Sequence, residues 1–471
     1  MLTECSAGQL EFKGLGRRKV VADFDGGLLS SDGGAVLLRE LDAALGIVSR
    51  LAGCFTDGRD GSRVEHSVEE LLRQRVLGLA LGYEDLNDHD ELMGDPLLAL
   101  CAGKRDVEGA ARRRGADRGK ALASSSTLNR LELGAAHSDA GERYKKIVCD
   151  GAAVEALLVD LFLDSFDAAP EEVVLDFDAT DDPLHGNQEG KFFHGYYRCY
   201  CYLPLYVTCG DQVLVSKLRT SDRDGADGAL ETLRDLAARI RGRWPDTRIV
   251  VRGDSGFCRD ALMTWCERNG VYYVLGLARN ARLLQRILWP LHQARRMHEA
   301  SGRAERVFTE FRYATLHSWS RPRRVIAKAE HLAKGANPRF VVTNLPGHAW
   351  HSRELYEDLY CARGDMENRI KEQQLDLFAD RTSAATLRAN QLRLWLSTFA
   401  YVLMSALRRI ALKGTRLANA TCGTLRLKLL KIGARIKTSV RRFIIHLASA
   451  CPYQDLFRQA LDAIHRYPLR V

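Results

Sequence analysis

The stretch Val173–Thr180, VVLDFDAT, decides the fold prediction. Its apolar and β-branched residues predict a buried strand that two acids interrupt. Side chains alternate along a strand, so Asp176 and Asp178 face one side while Leu175 and Phe177 face the other. A carboxylate on a buried strand is costly unless it is paired or binds a cation. The stretch therefore predicts both a sheet and a chemical use for its acids.

The segments that follow predict a mixed α/β domain. A Tyr-, Phe- and Val-rich run (191–221) predicts a hairpin, GALETLRDLAARIRGRW predicts a helix, and TRIVVRGDSGF predicts a second strand. A further helix and strand follow, and this alternation is typical of a mixed sheet with helices. The runs ERVFTEFRYATLHSW, RRVIAKAEHL and RFVVTNL, between about 300 and 346, predict a β insertion. Helical patterns then return up to about Leu412.

The first 165 or so residues predict mostly helices. In HSVEELLRQRVLGLALGY, Ser67 is a helix N-cap and Glu70 is its capping-box partner. A loop rich in Gly and basic residues follows. It is compatible with phosphate contact or with a plain solvated loop, and its basic cluster is Arg112, Arg113, Arg114, Arg118 and Lys120.

Composition excludes several classes of protein. The chain has 471 residues, of which 46% are hydrophobic and 27% charged, so a disordered or fibrous chain is excluded. The 12 cysteines are scattered and form no C-x-x-C motif, which favours a reduced cytoplasmic protein over a disulfide framework or a zinc finger. The N-terminal sequence predicts no signal peptide, and the longest apolar run, Leu394–Leu407, is too short to span a membrane.

One long segment carries a single sign of charge. No Asp or Glu occurs from Arg381 to Gln454, although the net charge of the whole chain is only +9. A one-sign surface repels itself and favours a polyanionic partner, so nucleic acid is expected to bind here. The alternative is a basic face that pairs with acids elsewhere in the chain. The residues chosen for phosphate contact are Lys428, Lys431, Arg435 and Lys437.

Acids in three settings suggest one joint role. Asp178 ends the first strand, Asp254 leaves the second strand in IVVRGDSGF, and Glu367 lies in the helical stretch LYCARGDMENRIKEQQ. Each has an ordinary reading on its own, as a turn cap, a turn residue and a surface helix acid. Brought together, the three would repel strongly, and a divalent cation would remove the conflict. Oxygen ligands without a nearby His or Cys cluster favour Mg2+ or Mn2+ over zinc.

The helix around Glu367 has a polar stripe. Tyr360, Arg363, Glu367, Lys371 and Gln374 lie at i, i+3, i+7, i+11 and i+14, which is one helical face. An aromatic ring and two cations beside one acid suit a phosphate-binding site, although a solvated face is the alternative.

With these motifs the chain resembles the DDE transposases of bacterial insertion sequences, the group with a Tyr-Arg-Glu signature. It is most similar to the thirteen-eighty family of insertion sequences, which are distant relatives of the piggyBac transposases. The matching stretches lie between about residues 120 and 405, with DGGLLSSDGGAVLLRELD near the N-terminus; they are LASSSTLNRLE, LDFDATDDPLHGNQEG, YYRCYCYLPLYV, RGDSGFCRDALMTWCERNGVYYVLGLARN, YCARGDMENRIKE and ADRTSAATLRANQLRLWLSTFAYVL.

The resemblance implies roles for particular residues. Asp178, Asp254 and Glu367 would be the catalytic acids and would bind Mg2+, or Mn2+ as a substitute, with two ions in each site. Tyr360 and Arg363 match the signature. The signature also has a Lys, and this chain has Gln374 at that position. Lys371, one helical turn earlier, is therefore the candidate for the role of the signature Lys. Two further residues are expected to support the site or contact DNA, namely Arg252 and the insertion aromatic Trp319. For Trp319, the alternative is a tryptophan buried in the core.

The resemblance also implies an architecture and an activity. The α/β fold would have an RNase H-like mixed-sheet core at 169–412 with a β-rich insertion at about 290–347. A mostly helical DNA-binding domain (1–168) and a basic helical region (413–471) would flank that core. A homodimer on paired DNA ends would bind terminal inverted repeats, cleave them, and join the 3′-hydroxyl to target DNA, in the bacterial cytoplasm and away from membranes. The alternatives are a catalytically silent DNA-binding regulator and a metal-dependent nuclease without strand transfer.

Overall fold

Secondary structure is described for residues 9–134 and 145–468 in a computed structural model of the chain. The segment examined for a signal peptide lies largely outside these residues. The strands are β1 (Leu10–Leu15), β2 (Arg18–Ala22), β3 (Leu29–Ser30), β4 (Phe55–Asp57), β5 (Ile147–Cys149), β6 (Glu172–Ala179), β7 (Asp182–Pro183), β8 (Phe192–His194), β9 (Cys199–Tyr202), β10 (Leu205–Cys209), β11 (Gln212–Lys217), β12 (Arg248–Gly253), β13 (Tyr272–Leu277), β14 (Glu305–Tyr313), β15 (Arg323–Leu332), β16 (Gly335–Ala336), β17 (Arg339–Thr343), β18 (Ala434–Thr438) and β19 (Phe443–Leu447).

The α-helices are α1 (Ala35–Leu45), α2 (Ile47–Ala52), α3 (Val68–Leu81), α4 (Asp88–Leu92), α5 (Pro96–Cys101), α6 (Ser125–Glu132), α7 (Gly151–Asp164), α8 (Ala229–Arg243), α9 (Asp260–Arg268), α10 (Ala281–Arg286), α11 (Leu288–Ser301), α12 (Ser352–Glu354), α13 (Gly364–Leu377), α14 (Leu387–Ala406), α15 (Cys422–Leu425) and α16 (Gln454–Arg466). Short 3-10 turns and π-helical turns extend several of them. Two matter below, the 3-10 turn Ser255–Phe257 and the π-helical turn Leu355–Tyr360 that leads towards α13.

The chain divides into two compact units. The first comprises Met1–Gly46, Arg59–Asn129 and Ala406–Val471, and the second comprises Ile47–Gly58 and Arg130–Ser405. The region predicted as an N-terminal domain and the region predicted as a basic C-terminal segment thus both contribute to the first unit. Their predicted roles in binding DNA stay predictions.

A mixed sheet organises the second unit. Among the described residues it has nine strands in the order β11-β10-β6-β12-β13-β17-β15-β14, with β16 beside β15. Neighbours among β11, β10 and β6 are antiparallel, while β12 runs parallel to β6 and β13 parallel to β12. When β6, β10, β11, β12 and β13 are numbered from one to five in chain order, their order across the sheet is 3-2-1-4-5. The predicted mixed α/β architecture is confirmed.

The two faces of this sheet bury different side chains. Leu175 and Phe177 of β6 belong to a core that helices α7, α8 and α9 cover with apolar residues such as Leu233 and Met263. The alternate positions of β6 face the other way, as its pleat requires. On that side Tyr206 of β10 packs with Met366 and Ile370 of α13, among others. The strand acids and the helix acid therefore lie on the same face of the sheet.

The predicted β insertion adds strands to the same sheet. β17 pairs antiparallel with β13, β15 pairs with β17, and β14 pairs with β15 over nine residue pairs. The edge of β13 that faces away from β12 is thus covered by β17, which begins more than 60 residues further along the chain. The strands of this region were predicted, whereas their continuation of the central sheet was not.

Local sequence signals explain the helices of the first unit. At the start of α3, the Ser67 N–H donates to Glu70 Oε2 at 2.8 Å and the Glu70 N–H donates to Ser67 Oγ at 3.2 Å, which confirms the predicted capping box. At its other end, Arg426 Nε donates to the carbonyl of Ala80 at 2.9 Å. A cation there satisfies a carbonyl that helix geometry leaves without a partner.

The prediction of a helical region at 413–471 is wrong for its middle part. Residues 434–447 form the antiparallel hairpin β18–β19, and β18 also pairs with β3. The sequence ARIKT alternates apolar and basic residues, and FIIHL is rich in β-branched residues, so both suit a half-buried ribbon.

Among the described residues, no helix is both long and apolar enough to cross a membrane.

Candidate active site

Two predicted acids lie side by side at the ends of parallel strands. Asp178 is next to last in β6, and Asp254 directly follows β12. The register pairs Arg252 with Asp176 and Gly253 with Phe177, so Asp254 comes level with Asp178 one step further on. Asp254 Oδ1 accepts the Gly256 N–H at 2.8 Å and thereby caps the turn that begins at Ser255. One oxygen of Asp254 thus has the role of a turn cap, as the alternative interpretation of this residue expected.

The third acid reaches the same place from helix α13. Glu367 lies on the first turns of this helix and accepts a hydrogen bond from Arg363 Nη2. Arg363 Nη1 lies 3.7 Å from Asp178 Oδ1, within ion-pair range but beyond hydrogen-bond range. This buried nitrogen has no hydrogen-bond partner among the described residues. One guanidinium thus lies between two of the three carboxylates.

The electrostatics of Asp178 reflect this crowding. Burial is the main cause that raises its pKa to about 7. The positive charge of Arg363 opposes the rise, while the carboxylates of Asp254 and Glu367 add to it. Perturbation of this size by burial and neighbouring acids is frequent at functional sites, although ion-pair networks also cause it.

A cleft of about 590 Å³ exposes all three acids together. Arg363 and Lys371 line it as well, so both cations predicted from the helical stripe are present. Gln374 also lines the cleft, and its amide donates to Asp182 Oδ1 at 3.0 Å, which holds this side chain against the buried Asp182. The polar stripe of α13 therefore faces a cleft, as one of the two readings of the sequence expected.

Tyr360 lies beside the same acids at the end of the π-helical turn. A Cβ atom on Gly276 would come within 2.7 Å of the Tyr360 hydroxyl and 2.9 Å of the Ser255 backbone nitrogen. A glycine in β13 is thus needed for this close approach. Burial raises the pKa of Tyr360, so the phenol stays protonated and can donate a hydrogen bond.

Behind the acids, a buried ion pair joins the segments that carry them. Arg252 Nη2 donates to Asp176 Oδ2 at 2.7 Å, and Arg252 Nε donates to the other carboxylate oxygen. Arg252 Nη1 donates to the carbonyl of Leu359, next to Tyr360. Asp176 and Arg252 thereby connect β6, β12 and the turn that leads into α13. Neither residue lines the cleft, so both support the site from behind.

The donor set of the cleft fits a hard divalent cation. Asp178, Asp254 and Glu367 offer carboxylate oxygens, which Mg2+ and Mn2+ prefer. Across residues 9–134 and 145–468, however, no group of three or more His, Cys, Asp or Glu side chains is arranged to hold a metal ion. Arg363 instead supplies positive charge between Asp178 and Glu367.

Comparison with known proteins defines the family. The family model described as "Transposase DDE domain group 1" matches residues 12–469. The chain belongs to the DDE transposases. Comparison with curated proteins gives no match. Among solved structures, a piggyBac transposase synaptic complex with hairpin DNA is similar at 12% identity and a TM-score of 0.41, over 85% of this chain and 79% of that chain.

The insertion aromatic of this transposase is engaged within the protein. Trp319 is partly buried, stands edge-on to Tyr313 at 5.8 Å, and lies beneath the Arg323 guanidinium at 5.5 Å. Stacking on a DNA base would require Trp319 to leave these contacts. A more exposed tryptophan near this region is Trp289, which is 72% exposed at the start of α11.

The basic residues predicted to contact phosphate belong to the first unit of the transposase and differ in their surroundings. Lys431 forms an ion pair with the buried Asp32 at 2.7 Å and lies 3.2 Å from the Tyr83 hydroxyl. Lys428 Nζ lies 5.9 Å from the centre of the Tyr453 ring. By contrast, Arg435 and Lys437 are exposed on β18. Lys431 therefore pairs with an acid of the chain, and contact between these four residues and phosphate stays a prediction.

Sequence reasoning missed the aromatic wall of the transposase cleft. The end of β8 and the turn that follows it place His194, Tyr196 and Tyr197 along the cleft. Tyr196 is 84% exposed and edge-on to Tyr197, whose hydroxyl donates to the carbonyl of Ala179 at 3.2 Å. The signal was the pair of tyrosines after Gly195 at a hairpin turn, where large exposed rings are unusual.

Proposed function

We propose that this DDE transposase belongs to the thirteen-eighty family of insertion sequences and moves its element by DNA cleavage and strand transfer. The observation that carries the proposal is the convergence of Asp178, Asp254 and Glu367 on one cleft. They come from two neighbouring strands and one helix, in the order that the family resemblance implies. Phosphodiester chemistry at a carboxylate site is the reaction class that this arrangement supports best.

An RNase H-like core is part of the proposal. On one side of β6 the strands β10 and β11 are paired antiparallel, and on the other side β12 and β13 are paired parallel. Numbered in chain order, these five strands lie in the order 3-2-1-4-5 across the sheet. The acids leave the carboxyl ends of the adjacent parallel strands β6 and β12, where ligands bind in many α/β sheets. The helix that carries Glu367 then covers the same face.

The chain's own residues have distinct tasks in this mechanism. Asp178, Asp254 and Glu367 would hold two Mg2+ or Mn2+ ions, and the chemistry that these ions would supply is activation of the attacking oxygen and stabilisation of the leaving oxygen. Arg363 and Lys371 line the cleft as cations that bind the phosphate under attack. Water first attacks the phosphodiester at the end of the element, and the freed 3′-hydroxyl then attacks target DNA. No covalent protein intermediate forms.

The proposed partners are the terminal inverted repeats and a target duplex. Two ends must be held together, so a homodimer on paired ends is expected, and the N-terminal region is expected to bind the repeats. The basic C-terminal segment adds contacts to the DNA backbone. Action in the bacterial cytoplasm belongs to the same proposal.

End-specific cleavage tests this function. The full-length protein is incubated with a labelled duplex copied from the DNA that flanks its gene, and with a scrambled duplex of equal length. We expect cuts at the end of the element in Mg2+ or Mn2+, and no cuts in the presence of a chelator. Equal cutting of both duplexes, or cutting that resists the chelator, would refute a metal-dependent transposase.

A further inference from the structure

Some cations of the acid-free segment have partners within the described part of the chain, and others have no acidic partner there. Arg393 pairs with Glu132 at 2.6 Å, Arg408 is buried and donates to Ala420, and Arg426 caps helix α3. Lys431 pairs with Asp32. These side chains explain part of the basic composition by contacts within the chain. They are therefore unavailable to a polyanion.

The hairpin β18–β19 carries basic side chains of a different kind, which are exposed. Four cations of this hairpin are exposed, and within the described part of the chain none of them has an acidic side chain at ion-pair distance. Two are on β18 and two are in the turn that joins the strands; they are Arg435, Lys437, Arg441 and Arg442. Four like charges on one short ribbon repel one another, so an opposite charge from outside the chain would stabilise them.

The inner face of the ribbon anchors it to the first unit. Ala434 and Ile436 are buried on the inner face, and the Ile436 N–H donates to the carbonyl of Leu28 at 2.9 Å. A Cβ on Gly33 would lie 2.7 Å from Leu447 Cδ2, which shows how closely the inner face is packed. Because side chains alternate, Arg435 and Lys437 share the outer face, about 6.6 Å apart along the strand.

The turn of the ribbon projects from this anchored base. The Ser439 N–H donates to the carbonyl of Arg442 at 2.9 Å, and the Arg442 N–H donates to Ser439 Oγ at 3.1 Å. Between them the side chain of Val440 is wholly exposed. The turn is thus defined by its own hydrogen bonds, and its two arginines extend the basic outer face of β18.

We propose that the outer face and turn of the hairpin β18–β19 bind the phosphate backbone of duplex DNA. This inference rests on the proposed function and gives it a defined surface, the four exposed cations in place of Lys428 and Lys431. Contacts to phosphate carry no base information, so the ribbon adds affinity without sequence preference. A two-stranded β ribbon also has the width that a DNA groove accepts.

The salt dependence of binding tests the ribbon. The variant Arg435→Gln, Lys437→Gln, Arg441→Gln, Arg442→Gln is made in an Asp178→Asn background, which removes cleavage. Affinity for the end duplex and for its scrambled copy is measured between about 50 and 200 mM salt. Each lost phosphate contact flattens the slope of log affinity against log salt by about 0.9, so we expect a loss of up to about 3.6, equal for both duplexes.

Lys431→Gln is the matched control, since it removes one charge from the same segment. It should lower stability and leave the slope unchanged, whereas Arg441→Gln with Arg442→Gln in the open turn should lower the slope by up to about 1.8. The turn variant decides the question if the fourfold variant fails to fold. A wild-type slope in the ribbon variants, or an equal loss in the control, would overturn the inference. If the ribbon assignment fails while the proposed function holds, the ribbon variants with Asp178 intact still cleave the end of the element at the wild-type rate.

Discussion

Replacing Asp178 by Asn, Asp254 by Asn or Glu367 by Gln is expected to abolish DNA cleavage and to leave DNA binding nearly unchanged. Asn and Gln keep the shape of each side chain and lose the negative charge that holds a divalent cation. Loss of several kcal/mol of transition-state stabilisation corresponds to a rate at least about 10³-fold lower. The measurement is single-turnover cleavage of the end duplex in Mn2+, with affinity measured separately.

A matched control lies on the same helix. Asp365 is exposed on α13, two residues before Glu367, and does not line the cleft. Asp365→Asn removes a carboxylate of the same kind and should change the rate only a few-fold. If any of the three cleft variants cleaves at a rate near that of the wild type, that residue is not a metal ligand.

Breaking the buried ion pair behind the cleft is expected to have the largest effect on stability. Asp176→Ala leaves the Arg252 guanidinium buried without its carboxylate, and Arg252→Ala leaves the carboxylate alone. Removing one partner of a buried pair costs about 3–5 kcal/mol of the free energy of unfolding. Because neither side chain lines the cleft, Asp176→Ala should retain measurable cleavage, whereas Asp178→Ala should remove it entirely.

An exposed ion pair provides the comparison. Arg223 and Asp227 are about half exposed and 2.9 Å apart, so Arg223→Ala should cost at most about 1 kcal/mol. The double variant Asp176→Leu, Arg252→Met should be less destabilised than the sum of its single changes. Urea denaturation measures stability, and Mn2+-dependent cleavage measures activity. If Asp176→Ala abolishes cleavage while Asp178→Ala retains it, the ligand has been assigned two residues out of place.

Sequence alone predicted the acids because local patterns encode their positions. The alternation in VVLDFDAT places Asp176 and Asp178 on one face of a strand, and helical spacing places Arg363 and Glu367 on one stripe. Which strands are neighbours depends on pairing between distant segments, and no local pattern specifies it. The position of Arg363 between two carboxylates follows from that pairing. Distance in sequence therefore set the limit of the prediction.

The C-terminal ribbon shows a different limit. A helical region is predicted here from a segment that is dominated by charge, but Ala434 and Ile436 alternate with basic residues, which is the period of a strand. Charge counts also treat all cations as equal. Lys431 compensates a buried carboxylate, whereas Arg441 has no acidic partner in the described ranges 9–134 and 145–468. Only three-dimensional contacts can make this distinction.

Strand transfer is the measurement that tests the central claim most directly. A duplex that copies the cut end of the element, with a 3′-hydroxyl on the transferred strand, is incubated with a supercoiled plasmid, the wild-type protein and Mg2+. A second duplex is identical except for a 3′-deoxy terminus. We expect end–plasmid joints from the 3′-hydroxyl duplex only, and none with Asp178→Asn. End-specific cleavage without any joining, under conditions where both duplexes bind, would contradict a transposase and indicate a nuclease that uses the same acids.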